Sequence, residues 1–231
     1  MSYFLDSLCS ALSLIGNLDS ALTQVVGLSL KVSLSSTLIA AFIGLPTGFF
    51  IALNSFTGKR AVITVLNTLL ALPTVVIGLF VYTFISRRGL FGSLELLYTS
   101  KAIILGQIIL IIPIVASLTI AAISRIDERY RQTALTLGAN RLQTGLVIIH
   151  EARFGIMAAV VTAFGRVISE VGISMMLGGN IKGYTRTMTT AMALEYDKGE
   201  FVLAIALGII LLSISLLVNI LLNIFQGRFG K

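Results

Sequence analysis

The chain is 231 residues long, 56% hydrophobic and only 12% charged, with a mean hydropathy of +0.99. Soluble domains carry about 25% charged residues, and a chain with half that share would cover itself in contiguous apolar patches in water. An ordinary soluble enzyme, a disordered chain and a conventional nucleic-acid binder are excluded, which leaves an integral membrane protein. Its formal charge of +7 then reads as basic loops facing anionic lipid rather than a nucleic-acid surface. The single cysteine, Cys9, excludes an internal disulfide, and one histidine, His150, argues against a zinc or haem centre, so no cofactor is expected.

In chain order, residues 1–18 carry no Lys or Arg and so lack the basic region of a secretory signal. Tyr3, Phe4, Leu5, Leu8, Leu12 and Ile15, with Asp6 and serines between them, suit a short helix lying on the membrane surface. A span needs about 20 apolar residues. Charge-free runs of that length occur at 32–58, 61–86, 102–124 and 201–227. A fifth stretch, 154–177, is apolar except for Arg166 and Glu170. The first span starts near Thr23, leaving Lys31 to snorkel at the interface. Pro46, Pro73 and Pro113 each fall within a span, where proline kinks a helix and can mark a moving segment. The expectation is an all-α, single-domain membrane protein of five transmembrane helices plus an N-terminal interfacial helix over residues 1–20.

Loop charge sets the orientation. With the C-terminus cytoplasmic, the inner segments hold Lys59, Arg60, Arg125, Arg129, Arg131, Arg141, Arg153, Arg228 and Lys231. The outer segments hold Arg87, Arg88, Lys101, Lys182, Arg186 and Lys198. That bias, with an N-terminal segment free of Lys and Arg, places the N-terminus outside and the C-terminus in the cytoplasm of a plasma or inner membrane.

The inner loop, 125–153, is too long for a turn. Residues 127–137 tolerate a helix, with acids preceding arginines as the helix dipole prefers. Gly138 ends it, Ala139 and Asn140 form a corner, and 141–149 can form a second short helix with Leu142, Leu146 and Ile149 on one face. Such a knob fits a groove on a partner and transmits a push. Gln132-Thr133-Ala134, three residues and Gly138-Ala139, with Ile148 ten residues after the glycine, resembles the EAA loop of ABC-importer permeases. That motif begins Glu-Ala-Ala and ends Ile-x-Leu-Pro; here Gln132 and Thr133 replace its first two residues, and His150-Glu151 stand where Leu-Pro would.

A second block runs from Phe164 through Arg166 and Glu170 to Gly172, then Gly178-Gly179-Asn180 and 185–190. It resembles the oxyanion permeases for molybdate, sulfate and tungstate, with the 150–153 and 178–181 runs most like the tungstate members. The resemblance covers about residues 23–228. It implies a type I importer fold with a cytoplasmic coupling-helix loop, in which two copies of the permease form the pathway. Two copies of a separate ABC ATPase bind the loop, and an extracytoplasmic binding protein delivers the oxyanion. The chain has no Gly-x-x-x-x-Gly-Lys-Ser/Thr run and so holds no ATP in a P-loop of its own; it reads as a transport subunit, not an enzyme.

Arg166 and Glu170 share a helix face at i,i+4, and an unpaired charge at mid-membrane costs at least about 2.5–3.5 kcal/mol. They therefore pair, either as a strut or as a lining of the pathway or gate. Thr185, Thr187, Thr189 and Thr190 with Lys182 and Arg186 offer hydrogen-bond donors to a tetrahedral dianion, or form a polar loop that docks the binding protein. His150-Glu151 lacks the second histidine of a zinc-protease helix. Glu195, Asp197, Lys198 and Glu200 read as an ordinary outer loop. A self-sufficient secondary transporter would show an inverted repeat; none is visible, and five spans do not divide into equal halves.

Overall fold

A computed structural model of the chain describes residues 12, 13, 16 and 20–229. The proposed surface helix over residues 1–20 lies almost wholly outside the described residues. Within them the chain is helical: α1 (Ser20–Leu53), α2 (Lys59–Leu69), α3 (Thr74–Ile85), α4 (Ser100–Ser124), α5 (Glu128–Thr136), α6 (Arg141–Ile168), α7 (Gly172–Gly178), α8 (Met188–Asp197) and α9 (Phe201–Phe229). A single 3-10 turn, Gly92–Leu94, lies between α3 and α4. The long helices α1, α4, α6 and α9 are apolar and long enough to cross a membrane, and α2 with α3 adds a fifth crossing if that bent pair is one span.

Three expectations are revised. The run 61–86 is not one helix: α2 and α3 meet at 98°, and the break falls at 70–73, where Pro73 caps α3 in extended conformation. Proline disfavours helical backbone at the residue before it and supplies no N–H. Pro46 and Pro113, by contrast, sit inside continuous helices. The second short helix expected over 141–149 is the first part of α6, a single helix of 28 residues, because nothing between Asn140 and Ile168 breaks it. The stretch 154–177 divides at 169–171 into α6 and α7.

The core forms where α1, α3, α4, α6 and α7 meet, around Ala40, Val81, Ile111, Val115, Ala163 and Leu177. A second cluster, Leu22, Phe164, Ile168, Met188 and Leu207, binds α8 and α9 to it. A third, Ile123, Ile148 and Ala152 with Leu53, ties neighbouring ends of α1, α4 and α6 beside the corner that holds α5. Small residues allow the closest approach. A Cβ on Gly44 would lie 2.9 Å from Val115 Cβ, and one on Gly48 would lie 2.7 Å from Thr119 Cβ and 2.9 Å from the Ala116 carbonyl. Glycines four apart on α1 thus seat α4 backbone to backbone, the usual device of apolar helices that lack a hydrophobic drive to associate. Gly48→Leu is expected to separate α1 from α4 and lower the protein's abundance in the membrane severalfold, read by quantitative blotting and thermal unfolding; wild-type stability would contradict the packing described.

Polar side chains buried in this core are mostly paired, the hydroxyls of Ser117 and Ser174 being the exceptions among the described residues. Gln107 is 2% exposed; its Oε1 accepts from the Ser36 hydroxyl at 2.7 Å and its Nε2 donates to the Val167 carbonyl at 3.4 Å. One amide therefore links α1, α4 and α6, where an unmade hydrogen bond would cost about 1–3 kcal/mol.

Candidate functional site

Two parts of the molecule carry the candidate residues, one at each end of α6. At the first, Asp127 caps α5 by accepting from Arg129 N at 2.9 Å, so a carboxylate faces the positive end of the helix. The helix then ends in a paired return: Gly138 N donates to the Leu135 carbonyl and Ala139 N to the Ala134 carbonyl, both at 3.0 Å. That pattern requires left-handed backbone at the residue after the cap, and Gly138 has φ +81°. Asn140 and Gln143 then form a reciprocal capping box at the start of α6, satisfying its free amides.

The sequence candidates divide by exposure here. Ala134 and Ile148 are each 8% exposed and anchor the corner inward. Gln132, Thr133 and Gly138 are exposed, and Ala139 is half-buried. Leu137, which caps α5, and Leu142, in the first turn of α6, are 82% and 72% exposed, an apolar surface on either side of the corner. A Cβ on Gly138 would meet nothing within 4 Å, so the backbone angle, and no internal clash, demands glycine there.

The second part lies where α6 ends, about 38 Å along the helix from Arg141 at its usual rise per residue. Arg166 Nη1 donates to Glu170 Oε2 at 2.7 Å. The two are unequally placed, Glu170 being 3% exposed and Arg166 40%. The other carboxylate oxygen accepts from Ile173 N at 3.3 Å, near the start of α7, and the Glu170 carbonyl accepts from the Thr189 hydroxyl at 2.8 Å. Glu170 is thereby committed on every side, and it joins α6, α7 and α8. Arg166 makes one described hydrogen bond out of the five it can donate, and 40% of its side chain is exposed. Thr162 and Ser169 are exposed beside it at i−4 and i+3. The three positions share one helix face by spacing, a signal readable in the sequence but absent from the expectations above.

The threonines expected near this region are buried and occupied. Thr185 donates to the Gly178 carbonyl and accepts from Ile181 N at 3.0 Å. Thr187 and Thr190 form a capping box at the start of α8, and the Thr187 and Thr189 hydroxyls lie 3.1 Å apart. Thr185 and Thr190 are wholly buried, Thr187 5% and Thr189 6% exposed. Arg186 is bound to Asn180 through Nε at 3.2 Å and Nη2 at 3.3 Å, while Lys182 is exposed. Ser29 on α1, a residue not anticipated, accepts from Met188 N at 2.7 Å and fixes the same turn. These groups hold the segment 178–190 against Glu170 rather than presenting free hydroxyls. Glu195, expected in a solvent loop, is 8% exposed on α8 and paired to Lys198 at 3.0 Å.

Comparison with known proteins agrees with this architecture. The chain is 38% identical over 226 residues, 98% of its length and 99% of the relative's, to the tungstate uptake system permease protein TupB of Peptoclostridium acidaminophilum. It is 39% identical over 212 residues, 90% and 91% of the two chains, to a probable anion ABC transporter permease protein of Haloferax volcanii. Its fold matches a chain of the MetNI methionine ABC transporter in inward-facing form with a TM-score of 0.72 at 17% identity, covering 90% of this chain and 95% of that one. The family model for the binding-protein-dependent transport system inner membrane component matches residues 44–231, more than three-quarters of the sequence. The chain belongs to the binding-protein-dependent transport system inner membrane component family.

Proposed function

We propose that this chain is the membrane-spanning permease of an ATP-driven importer that carries a tetrahedral oxyanion, tungstate, into the cytoplasm by alternating access. The substrate class is supported by similarity over nearly the full length to a tungstate uptake permease. One structural observation carries the mechanism: α6 runs unbroken from the Gly138 corner to the Arg166–Glu170 pair. A displacement applied at the corner is therefore delivered by a continuous rigid helix to the Arg166–Glu170 ion pair at its opposite end. The corner, with Gln132, Thr133, Ala134, Gly138, Ala139 and Ile148, seats the ATPase, of which two copies act. The binding protein docks at the opposite end, and a second copy of this chain completes the pathway, within lipid.

In this reading Arg166, with Thr162 and Ser169, lines the pathway. Glu170 balances its charge, and the N–H groups that the pair leaves unused can donate to a dianion without holding it tightly, as conduction requires. Thr185 and Thr187 set the position of the gate segment from behind and do not touch the anion.

The orientation places the corner in the cytoplasm. In a Cys9→Ser background, Leu137→Cys is expected to resist a membrane-impermeant maleimide in spheroplasts and to react in inverted vesicles. Labelling in intact spheroplasts would contradict the orientation.

A further inference from the structure

At the end of the bundle opposite the Gly138 corner, the chain between α3 and α4 borders a cleft of about 590 Å³. Its wall includes Tyr82, Ser86, Arg87, Arg88, Glu95 and Tyr98. Arg87 and Arg88 are exposed and follow Ser86, the extended residue that caps α3. Neither takes part in any of the ion pairs among the described residues. Glu95 is the one carboxylate in the wall, so the cleft keeps a net positive charge.

The surrounding backbone is tightly fixed. Phe91 N donates to the Phe84 carbonyl at 2.9 Å and Gly89 N to the Ser86 carbonyl at 2.7 Å. A Cβ on Gly89 or Gly92 would lie 2.4 Å or 2.6 Å from a backbone oxygen, so only glycine allows this fold of the loop. Tyr98 stands at φ +61°, a conformation that costs a bulky residue about 1–3 kcal/mol. It is held there by a hydrogen bond from its N to the Leu177 carbonyl at 2.9 Å and by packing of its ring on Gly179. On the same loop Leu90, Phe91 and Leu94 are 80%, 52% and 59% exposed.

We propose that this cleft, distinct from the Arg166 face, is a binding site for a tetrahedral oxyanion. Guanidinium groups from two consecutive residues of the wall can offer such an anion forked, charge-assisted hydrogen bonds, and Tyr82 and Tyr98 are further donors in the same wall. The anion is either the phosphate of a membrane lipid, whose chains meet Leu90, Phe91 and Leu94, or a free inorganic oxyanion. An exposed double arginine is costly on the extracytoplasmic side, where Lys and Arg are disfavoured; that single point rests on the orientation proposed above, and the binding test does not.

The test uses the full-length chain in nanodiscs, without ATPase or binding protein, so its failure is separable from failure of the transport reading. Tungstate binding is measured by equilibrium dialysis, and retention of phosphatidylglycerol by native mass spectrometry. The variant Arg87→Gln with Arg88→Gln is compared with wild type and with Lys101→Gln with Lys182→Gln, which removes equal charge from the same end. Circular dichroism establishes that each variant is folded. A loss of about tenfold or more in tungstate affinity confined to the arginine variant supports the site, with the free anion as ligand. The same loss in lipid retention supports it with the lipid as ligand. No change in either quantity, or equal losses in the lysine variant, would overturn it.

Discussion

Glu170→Ala is expected to be the most damaging single substitution in the bundle. It strips the partner from Arg166, removes the acceptor of Ile173 N and loosens the junction of α6 and α7 in one step. Breaking a buried pair costs about 3–5 kcal/mol, and the lower end applies because Arg166 is half-exposed and can draw water to itself. The variant should therefore unfold at a markedly lower temperature and accumulate poorly in the membrane. Arg166→Gln makes the complementary case. It leaves a carboxylate that is 3% exposed without a counter-charge but still bonded by Ile173 N, so stability should fall as well, and uptake should fall more than the loss of protein accounts for. Exchange of the two, Arg166→Glu with Glu170→Arg, places the larger, charged group in the buried position and should restore stability only in part. Wild-type stability of Glu170→Ala would refute the pairing argument, and wild-type uptake by a stable Arg166→Gln would reduce the pair to a strut.

Gly138→Val should abolish ATP-driven uptake, to under about a tenth of wild type, without preventing insertion. The left-handed backbone costs an ordinary L-residue about 1–2 kcal/mol and a β-branched one more. The two hydrogen bonds that close α5 depend on that backbone. A valine is accommodated only by unwinding the turn, which re-aims α5 while leaving the apolar bundle intact. Gly138→Asn separates backbone from bulk, because asparagine tolerates left-handed conformation and nothing lies within 4 Å of the Cβ position; it should keep much of the activity. Equal uptake by the valine variant and wild type, at equal abundance, would remove the corner from the coupling mechanism.

Much of the fold was legible because its strongest signals are local. Long apolar runs locate α1, α4 and α9 within several residues, and the acids, glycine and asparagine at 127–140 announce one helix end and the next helix start. Hydropathy is blind to direction, however. Residues 61–86 are uniformly apolar, yet Pro73 turns the chain through 98°, while Pro46 and Pro113 leave their helices continuous. The Arg166–Glu170 pair was readable because opposite charges four residues apart in an apolar stretch have few alternatives to pairing. The roles of Thr185–Thr190 were not: hydroxyls that look available in sequence are consumed by capping and by the Glu170 carbonyl, and only tertiary contact decides that. The glycine spacing at 44 and 48 and the Thr162–Arg166–Ser169 face were present in the sequence, but their meaning depends on which neighbour each helix face meets.

The central claim is that ATP hydrolysis by a separate ATPase seated at the Gly138 corner drives oxyanion movement from the opposite end. Its direct measurement is tungstate uptake into proteoliposomes containing this chain and its ATPase, with ATP enclosed and tungstate-loaded binding protein outside. Accumulation should exceed the external concentration, require all of these components, and vanish with Gly138→Val while the ATPase remains intact. Tungstate flux that equilibrates across the membrane without ATP or binding protein would contradict the account and identify a self-sufficient channel or carrier.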